Sequence, residues 1–182
     1  MTNKTLYFVR HGEADYNLMD RINAHSNVHN NLTITGKEQA ACCSKELSQS
    51  AIEVIYCSEF PRARQTAEII NQRFHVPIVQ DALINETGAF AFEGKPTSAW
   101  HKVQVPDRFT AVVPGCESFQ EMKWRLASFL DKMRTISAER IVVVSHEEPI
   151  QVLVGILTNT SDEEARKKAI SHCYPISLKL PL

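Results

Sequence analysis

Four segments of this sequence contain side chains that could bind and transfer a phosphoryl group. They are Arg10-His11-Gly12, Ser58 to Arg62, Asn85-Glu86 and Ser145-His146. An arginine can neutralise phosphoryl oxygens, a histidine can act as nucleophile or base, and a glutamate can protonate the leaving group. The combination therefore predicts phosphate chemistry, provided that the fold brings the four segments together.

Taken singly, each of these residues also has an ordinary structural interpretation. Arg10-His11 could simply be the polar end of a strand, and Glu86 could be a solvated turn residue. His146 could be a histidine whose hydrogen bonds are satisfied at a strand end. Arg62 and Arg64 lie two positions apart on a predicted helix, so at most one of them can face the site. The functional prediction therefore depends on all four segments meeting.

The hydrophobic pattern supplies strands that would bring them together. Apolar runs at Leu6–Val9, Val54–Cys57 and Ile141–Val144 are typical of strands buried on both faces, and Ile78-Val79 begins a shorter one. Other elements are expected as helices at Thr35–Leu47, Pro61–Phe74 (with Ser58 as a plausible N-cap), Ser118–Met133, Pro149–Leu157 and Ser161–Glu164, and as an edge strand at Ile176–Leu180. This alternation predicts an α/β three-layer sandwich, with a mainly parallel sheet and helices on both faces. Ligands of such sheets bind beyond the carboxyl ends of the strands, where the four segments lie.

The chain is expected to form a single domain over residues 1–182, with one lid-like insertion at about residues 87–116. The insertion is irregular and contains several Gly and Pro residues. Its ring-bearing side chains are Phe90, Phe92, Trp100, His101 and Phe109. Long irregular segments inside compact domains are usually functional. We expect this one to cover the site and to set its specificity.

Composition limits the partners. The 182 residues include 20 Lys and Arg against 21 Asp and Glu, and the formal net charge of -1 gives no bulk attraction to nucleic acid or anionic lipid. No stretch approaches the ~20 apolar residues of a membrane span. The five cysteines are scattered and odd in number, which favours a reducing compartment. We therefore expect a cytoplasmic protein with a small-molecule partner and neither nucleic-acid nor membrane partners, while its oligomeric state is unknown.

Spacing disfavours two other kinds of site. A cysteine-phosphatase loop beginning at Cys57 would need an arginine at position 63, where the sequence has Ala63. His25 and His29 are four apart and could bind a metal on a helix, but no third ligand is evident. We expect neither a cysteine nucleophile nor a metal.

The motifs resemble those of the histidine phosphatase superfamily, also called the phosphoglycerate mutase-like family. Arg10-His11-Gly12-Glu13, with Asn17 downstream, resembles the N-terminal signature of that family. Ser58 to Ala67 is similar to its second motif, Glu86 to its acid-bearing loop, and Val144-Ser145-His146 to a later landmark. The motifs span most of the chain in the expected order.

This resemblance implies a metal-independent phosphatase that needs no cofactor. His11 would attack the phosphoryl group and carry it as a phosphohistidine, and Glu86 would protonate the leaving oxygen and then activate water. The phosphoryl oxygens would be held by a cationic cradle and one further hydrogen-bond donor, namely Arg10, Arg62, His146 and Asn17.

Several alternatives stay open. A mutase would share the histidine chemistry, but the short chain favours a phosphatase. The aromatic side chains of the insertion suit a substrate larger than a three-carbon acid. A phosphohistidine or phosphoprotein phosphatase and a non-catalytic phosphate-binding module are further alternatives. The sequence also departs from the family pattern at Ala14, where threonine is usual, and at Glu147, where glycine is common. A carboxylate at position 147 would disfavour highly charged substrates unless it turns outward.

Overall fold

The computed structural model describes residues 4–181, which form a five-stranded sheet with helices on both faces. The strands are β1 Lys4–Arg10, β2 Val54–Cys57, β3 Ile78–Gln80, β4 Arg140–Ser145 and β5 Ile176–Leu180. The helices are α1 Asp15–Leu18, α2 Ile34–Glu46, α3 Pro61–Phe74, α4 Thr97–Val103, α5 Phe119–Thr135, α6 Glu147–Thr158 and α7 Asp162–Arg166. The predicted α/β class with a mainly parallel sheet is confirmed.

The sheet has the strand order β3-β2-β4-β1-β5, and only the edge strand β5 runs antiparallel to its neighbour. Alternate residues of the central strand β4 enter two separate cores. Ile141 and Val143 pack in the core with α5 and α6, whereas Val142 and Val144 pack in the core with α2 and α3. This explains why the strand is apolar at successive positions. The parallel pairing of β4 with β1 and with β2 places the carboxyl ends of these three strands along one edge of the sheet.

Three helix starts differ from the prediction. The N-cap of α2 is Thr33 rather than Thr35, because the Thr33 hydroxyl accepts a hydrogen bond from the Gly36 N–H at 3.0 Å. Helix α6 begins at Glu147, and Pro149 is tolerated there because first-turn N–H groups have no helical partner. Ser58 is not the N-cap of α3, since Phe60 occupies that position.

The insertion at residues 87–116 is less irregular than predicted. It contains α4, whose Trp100 is buried with its ring centroid 5.3 Å from that of Phe92. Phe109 packs edge-on against Phe119 at the start of α5, with 4.9 Å between ring centroids. Apolar packing therefore fixes this segment against the rest of the protein. Within residues 4–181, no helix combines the length and apolar character needed to cross a membrane.

Candidate active site

A cavity of about 380 Å³ opens beyond the carboxyl ends of the parallel strands. Five of the six predicted site residues line it, namely Arg10, His11, Asn17, Arg62 and Glu86. The sixth, His146, is fully buried and contacts the site through Arg62 and Glu86. The fold thus brings the four predicted segments together, and the cavity has the size of a small-molecule site.

His11 follows β1 directly and is almost fully buried. Its Nδ1 lies 2.8 Å from the carbonyl oxygen of Gly12, and a carbonyl can only accept, so Nδ1 carries the proton. The Nε2 atom therefore has a lone pair, which accepts a hydrogen bond from Nε of Arg62 at 3.0 Å. Burial, followed by the charge of Arg62, holds the pKa of His11 well below its usual range. At neutral pH this imidazole is neutral, with Nε2 as its free nitrogen.

Arg62 is the second residue of α3 and connects the parts of the site. Its guanidinium bonds to His11, to Nδ1 of His146 at 3.0 Å and to the Asn23 side chain, and it lies 3.6 Å from the Glu86 carboxylate. Burial lowers its pKa to about 10, so it remains charged at neutral pH. Arg64 instead is exposed and pairs with Glu68. This agrees with the expectation from helical spacing that only one of the two arginines faces the site.

His146 is held by a chain of buried hydrogen bonds. Because Arg62 donates to its Nδ1, the proton is on Nε2, which lies 2.8 Å from Oγ of Ser58. Ser58 in turn donates to Oδ1 of Asn85 at 3.0 Å. Burial and the neighbouring Arg62 lower the pKa of His146 well below its usual range. A lowered pKa favours the neutral imidazole, so the positive charge beside His146 comes from Arg62, and a phosphate-binding role for His146 stays a prediction.

Glu86 belongs to a loop that α5 holds in place. Arg125 of α5 donates to the carbonyl oxygens of Leu83, Asn85 and Glu86 at 2.8, 2.9 and 3.1 Å and also pairs with Glu117. Desolvation in the pocket raises the pKa of the Glu86 carboxyl, although the charge of Arg62 works in the opposite direction. A raised pKa favours the protonated form, which a proton donor requires.

Arg10 and Glu147 meet at the wall of the cavity. The Arg10 Nη1 donates to the carbonyl oxygen of Ile170 at 2.8 Å and lies 2.9 Å from Oε2 of Glu147. Glu147 lines the cavity, so it does not turn outward. Asn17 lines the cavity as well, with its Oδ1 accepting the N–H of Ala14 at 2.9 Å, and its amide nitrogen can still act as a donor.

Sequence reasoning missed several residues that support this site. The only specific role expected for Ser58 was that of a helix cap, although it begins a predicted segment, and Asn23 lies in an Asn-rich stretch without a periodic pattern. His172 packs its ring 5.4 Å from that of His11 and binds the His11 carbonyl oxygen through Nδ1 at 2.6 Å. Glu148 accepts from Arg108, Arg166 and Thr87. Asn85 and Ser58 had a sequence signal, since each begins one of the four predicted segments, whereas the others had none.

The insertion contributes to the pocket with some of the predicted side chains. Trp100 and His101 line the cavity together with Thr87, Thr97 and Arg108. Phe92 and Phe109 instead pack against Trp100 and Phe119.

The alternative chemistries find little support in the described residues. Burial raises the pKa of the Cys57 thiol to about 12, so no thiolate is available there at neutral pH. Residues 4–181 contain no group of three or more His, Cys, Asp or Glu side chains that could hold a metal ion.

The fold and the site together define an α/β enzyme class in which a buried neutral histidine, two arginines and a glutamate share one pocket. Comparison with protein families agrees with this class. The chain belongs to the histidine phosphatase superfamily, because the model of branch 1 matches residues 6–179. It is an enzyme of the histidine phosphatase type.

Individual relatives are more distant. The chain is 28% identical over 166 residues to the "Uncharacterized phosphatase PhoE" of Bacillus subtilis, covering 91% of this chain and 83% of that protein. It is also 28% identical over 176 residues to a "Probable phosphoglycerate mutase GpmB" of Shigella boydii, covering 92% and 81%. The alpha-ribazole phosphatase structure from Shigella flexneri shares the fold, with a TM-score of 0.83 and 22% identity over 95% of this chain and 89% of that one.

Proposed function

We propose that this protein hydrolyses a phosphomonoester without a metal, through a phosphohistidine intermediate on Nε2 of His11. One observation carries the proposal. His11 is held neutral with its Nε2 lone pair at Arg62, and the Glu86 carboxyl stands on the other side of the same guanidinium. Nucleophile, cation and acid are thus adjacent in one cavity, which is the arrangement that phosphoryl transfer needs.

In the first step, the Nε2 lone pair of His11 displaces its contact with Arg62 and forms a bond to phosphorus. The bond between phosphorus and the ester oxygen breaks, and its electron pair leaves with that oxygen. Glu86 gives its proton to this oxygen, so that a neutral alcohol departs. Arg10, Arg62 and the Asn17 amide hold the three phosphoryl oxygens.

In the second step, water attacks phosphorus and Glu86, now a carboxylate, takes a proton from it. The bond between phosphorus and Nε2 breaks, and its electron pair returns to His11. Inorganic phosphate leaves, and the protein regains its starting protonation state. His146, fixed by Ser58, positions Arg62 during both steps.

Several features favour hydrolysis over mutase chemistry. The acid and the nucleophile face a cavity that is open to water. The insertion at residues 87–116, which we propose acts as a lid, borders this cavity. The five unpaired cysteines fit the cytoplasm, where we propose that the enzyme works on a small phosphate ester.

The experiment measures phosphate release from p-nitrophenyl phosphate by the wild type and by His11→Gln, each with and without EDTA. We expect turnover that EDTA does not affect and that His11→Gln abolishes. Absence of release from any phosphate ester would overturn the enzymatic proposal, and loss of activity with EDTA would overturn the metal-free mechanism. Incubation with 3-phosphoglycerate and 2,3-bisphosphoglycerate tests the alternative, since only a mutase would form the isomer.

A further inference from the structure

A carboxylate stands inside the cavity beside an arginine of the phosphate site. Glu147 is the first residue of α6, and its side chain is 39% exposed where it meets Arg10. We propose that Glu147 is a specificity-determining residue that selects against substrates with a second anionic group near the phosphoryl group. The inference rests on the proposed phosphatase function and narrows its substrates to phosphomonoesters of neutral alcohols.

The hydrogen bonds of Arg10 show that this carboxylate can stay in place when a substrate binds. Nη1 is engaged by both Ile170 and Glu147. Nε is buried and has no hydrogen-bond acceptor in the described part of the chain. Nη2 makes no hydrogen bond within the described residues and is not buried, so a phosphoryl oxygen can take its N–H without displacing Glu147. The negative charge then remains fixed next to the bound ester.

The charge balance of the cavity leads to the same substrate class. Five arginines and three glutamates line it, and with Glu86 protonated, as its acid role requires, the positive charges exceed the negative ones by three. Each glutamate has an arginine partner: Glu86 faces Arg62, Glu147 faces Arg10, and Glu148 pairs with two further arginines. A phosphomonoester has close to two negative charges at neutral pH, because its second pKa is about 6. One phosphoryl group therefore uses most of the positive excess.

A second anionic group placed near Arg10 would meet the Glu147 carboxylate, which already pairs with that arginine. Neighbouring like charges disfavour each other, and the effect is greater in a cavity than in bulk water. A hydroxyl-bearing or uncharged remainder avoids this repulsion and can hydrogen-bond to the same carboxylate. Glu147 thus distinguishes esters by the charge of the alcohol part.

The test compares two esters of nearly equal size, glycerol 3-phosphate and 3-phosphoglycerate, which differ by a hydroxymethyl group against a carboxylate. The ratio of their kcat/KM values is measured for the wild type and for the isosteric Glu147→Gln. We expect the wild type to prefer glycerol 3-phosphate, and Glu147→Gln to shift the ratio by about three- to tenfold toward 3-phosphoglycerate. Glu68→Gln is the matched control, since it removes a carboxylate paired with Arg64 outside the cavity, and its ratio should equal that of the wild type.

An unchanged ratio for Glu147→Gln, or a shift toward glycerol 3-phosphate, overturns the proposal. Poor folding cannot imitate the expected result, because it would reduce both activities together. If the wild type hydrolyses neither ester, the p-nitrophenyl phosphate assay decides the proposed function separately. In that case calorimetry measures the affinities of the wild type and of Glu147→Gln for the two esters. A shift of the affinity ratio toward 3-phosphoglycerate in Glu147→Gln supports the proposal, and an unchanged or opposite ratio overturns it.

Discussion

Ser58 offers a sharp test of how the site is held, because two interpretations of this residue predict different losses. As a helix cap, it would contribute to stability alone. In the structure, its fully buried hydroxyl instead accepts the Nε2 proton of His146 and donates to Asn85. Ser58→Ala leaves that proton without a partner. Moving the proton to Nδ1 does not help, since Nδ1 would then face the Arg62 donor.

The size of the effect follows from the cost of an unsatisfied buried donor, roughly 1–3 kcal/mol. If His146 and Arg62 shift in the variant because this hydrogen bond is lost, kcat/KM should fall about ten- to a hundredfold. The Tm should fall by about 2–10 °C for a protein of this size. Steady-state kinetics and thermal unfolding of the same preparations provide both values.

Ser145→Ala is the matched control for this variant. Ser145 is equally buried at the end of a neighbouring strand, but its hydroxyl donates to the carbonyl oxygen of Ile84 at 2.7 Å rather than contacting a catalytic side chain. It should lose similar stability while its kcat/KM stays within about threefold of the wild type. Equal losses of activity in the two variants, or full activity of Ser58→Ala, would refute the role assigned to Ser58.

Three further predictions concern the titrating groups. Glu86→Gln should lower kcat for alkyl phosphates by about 10²–10⁴ and less for p-nitrophenyl phosphate, whose leaving group needs little protonation; equal losses in steady-state assays would argue against an acid role. Glu148→Gln should shift the alkaline limb of the kcat/KM pH profile to lower pH, because the Glu148 charge contributes to the raised pKa of Glu86; an unmoved limb would contradict this coupling. The pKa values of three histidines, His11, His146 and His172, are lowered in the folded state. The unfolded chain therefore binds more protons at acid pH. The stability of the fold should be full above pH ~6.5 and decline below it. Denaturant midpoints at pH about 7.5 and about 5.5 measure this decline, and a midpoint that rises on acidification would contradict it.

The strands and the main site residues could be predicted from the sequence because local pattern determines them. Three apolar runs specify buried strands, and parallel strands place their carboxyl ends at one edge whatever the details of packing. Helical geometry indicated that Arg62 and Arg64 cannot both face the site, and the family resemblance selected Arg62. The predicted residues Arg10, His11 and Glu86 accordingly lie in the cavity.

What the sequence could not show depends on partners far apart in the chain. Ser58 reaches His146 across 88 positions, and His172 reaches the backbone of His11 across 161. The neutral state of His146 follows from burial, which no local pattern expresses. The inward direction of Glu147 likewise depends on where α6 begins and on Arg10 at the end of another strand.

The central claim is that His11 carries the phosphoryl group between two displacements at phosphorus. The stereochemical course, measured with a phosphate ester made chiral by oxygen isotopes and with an acceptor alcohol in place of water, tests it most directly. Two in-line displacements predict retention of configuration. Inversion would mean a single direct transfer, and would contradict the assignment of His11 as the nucleophile.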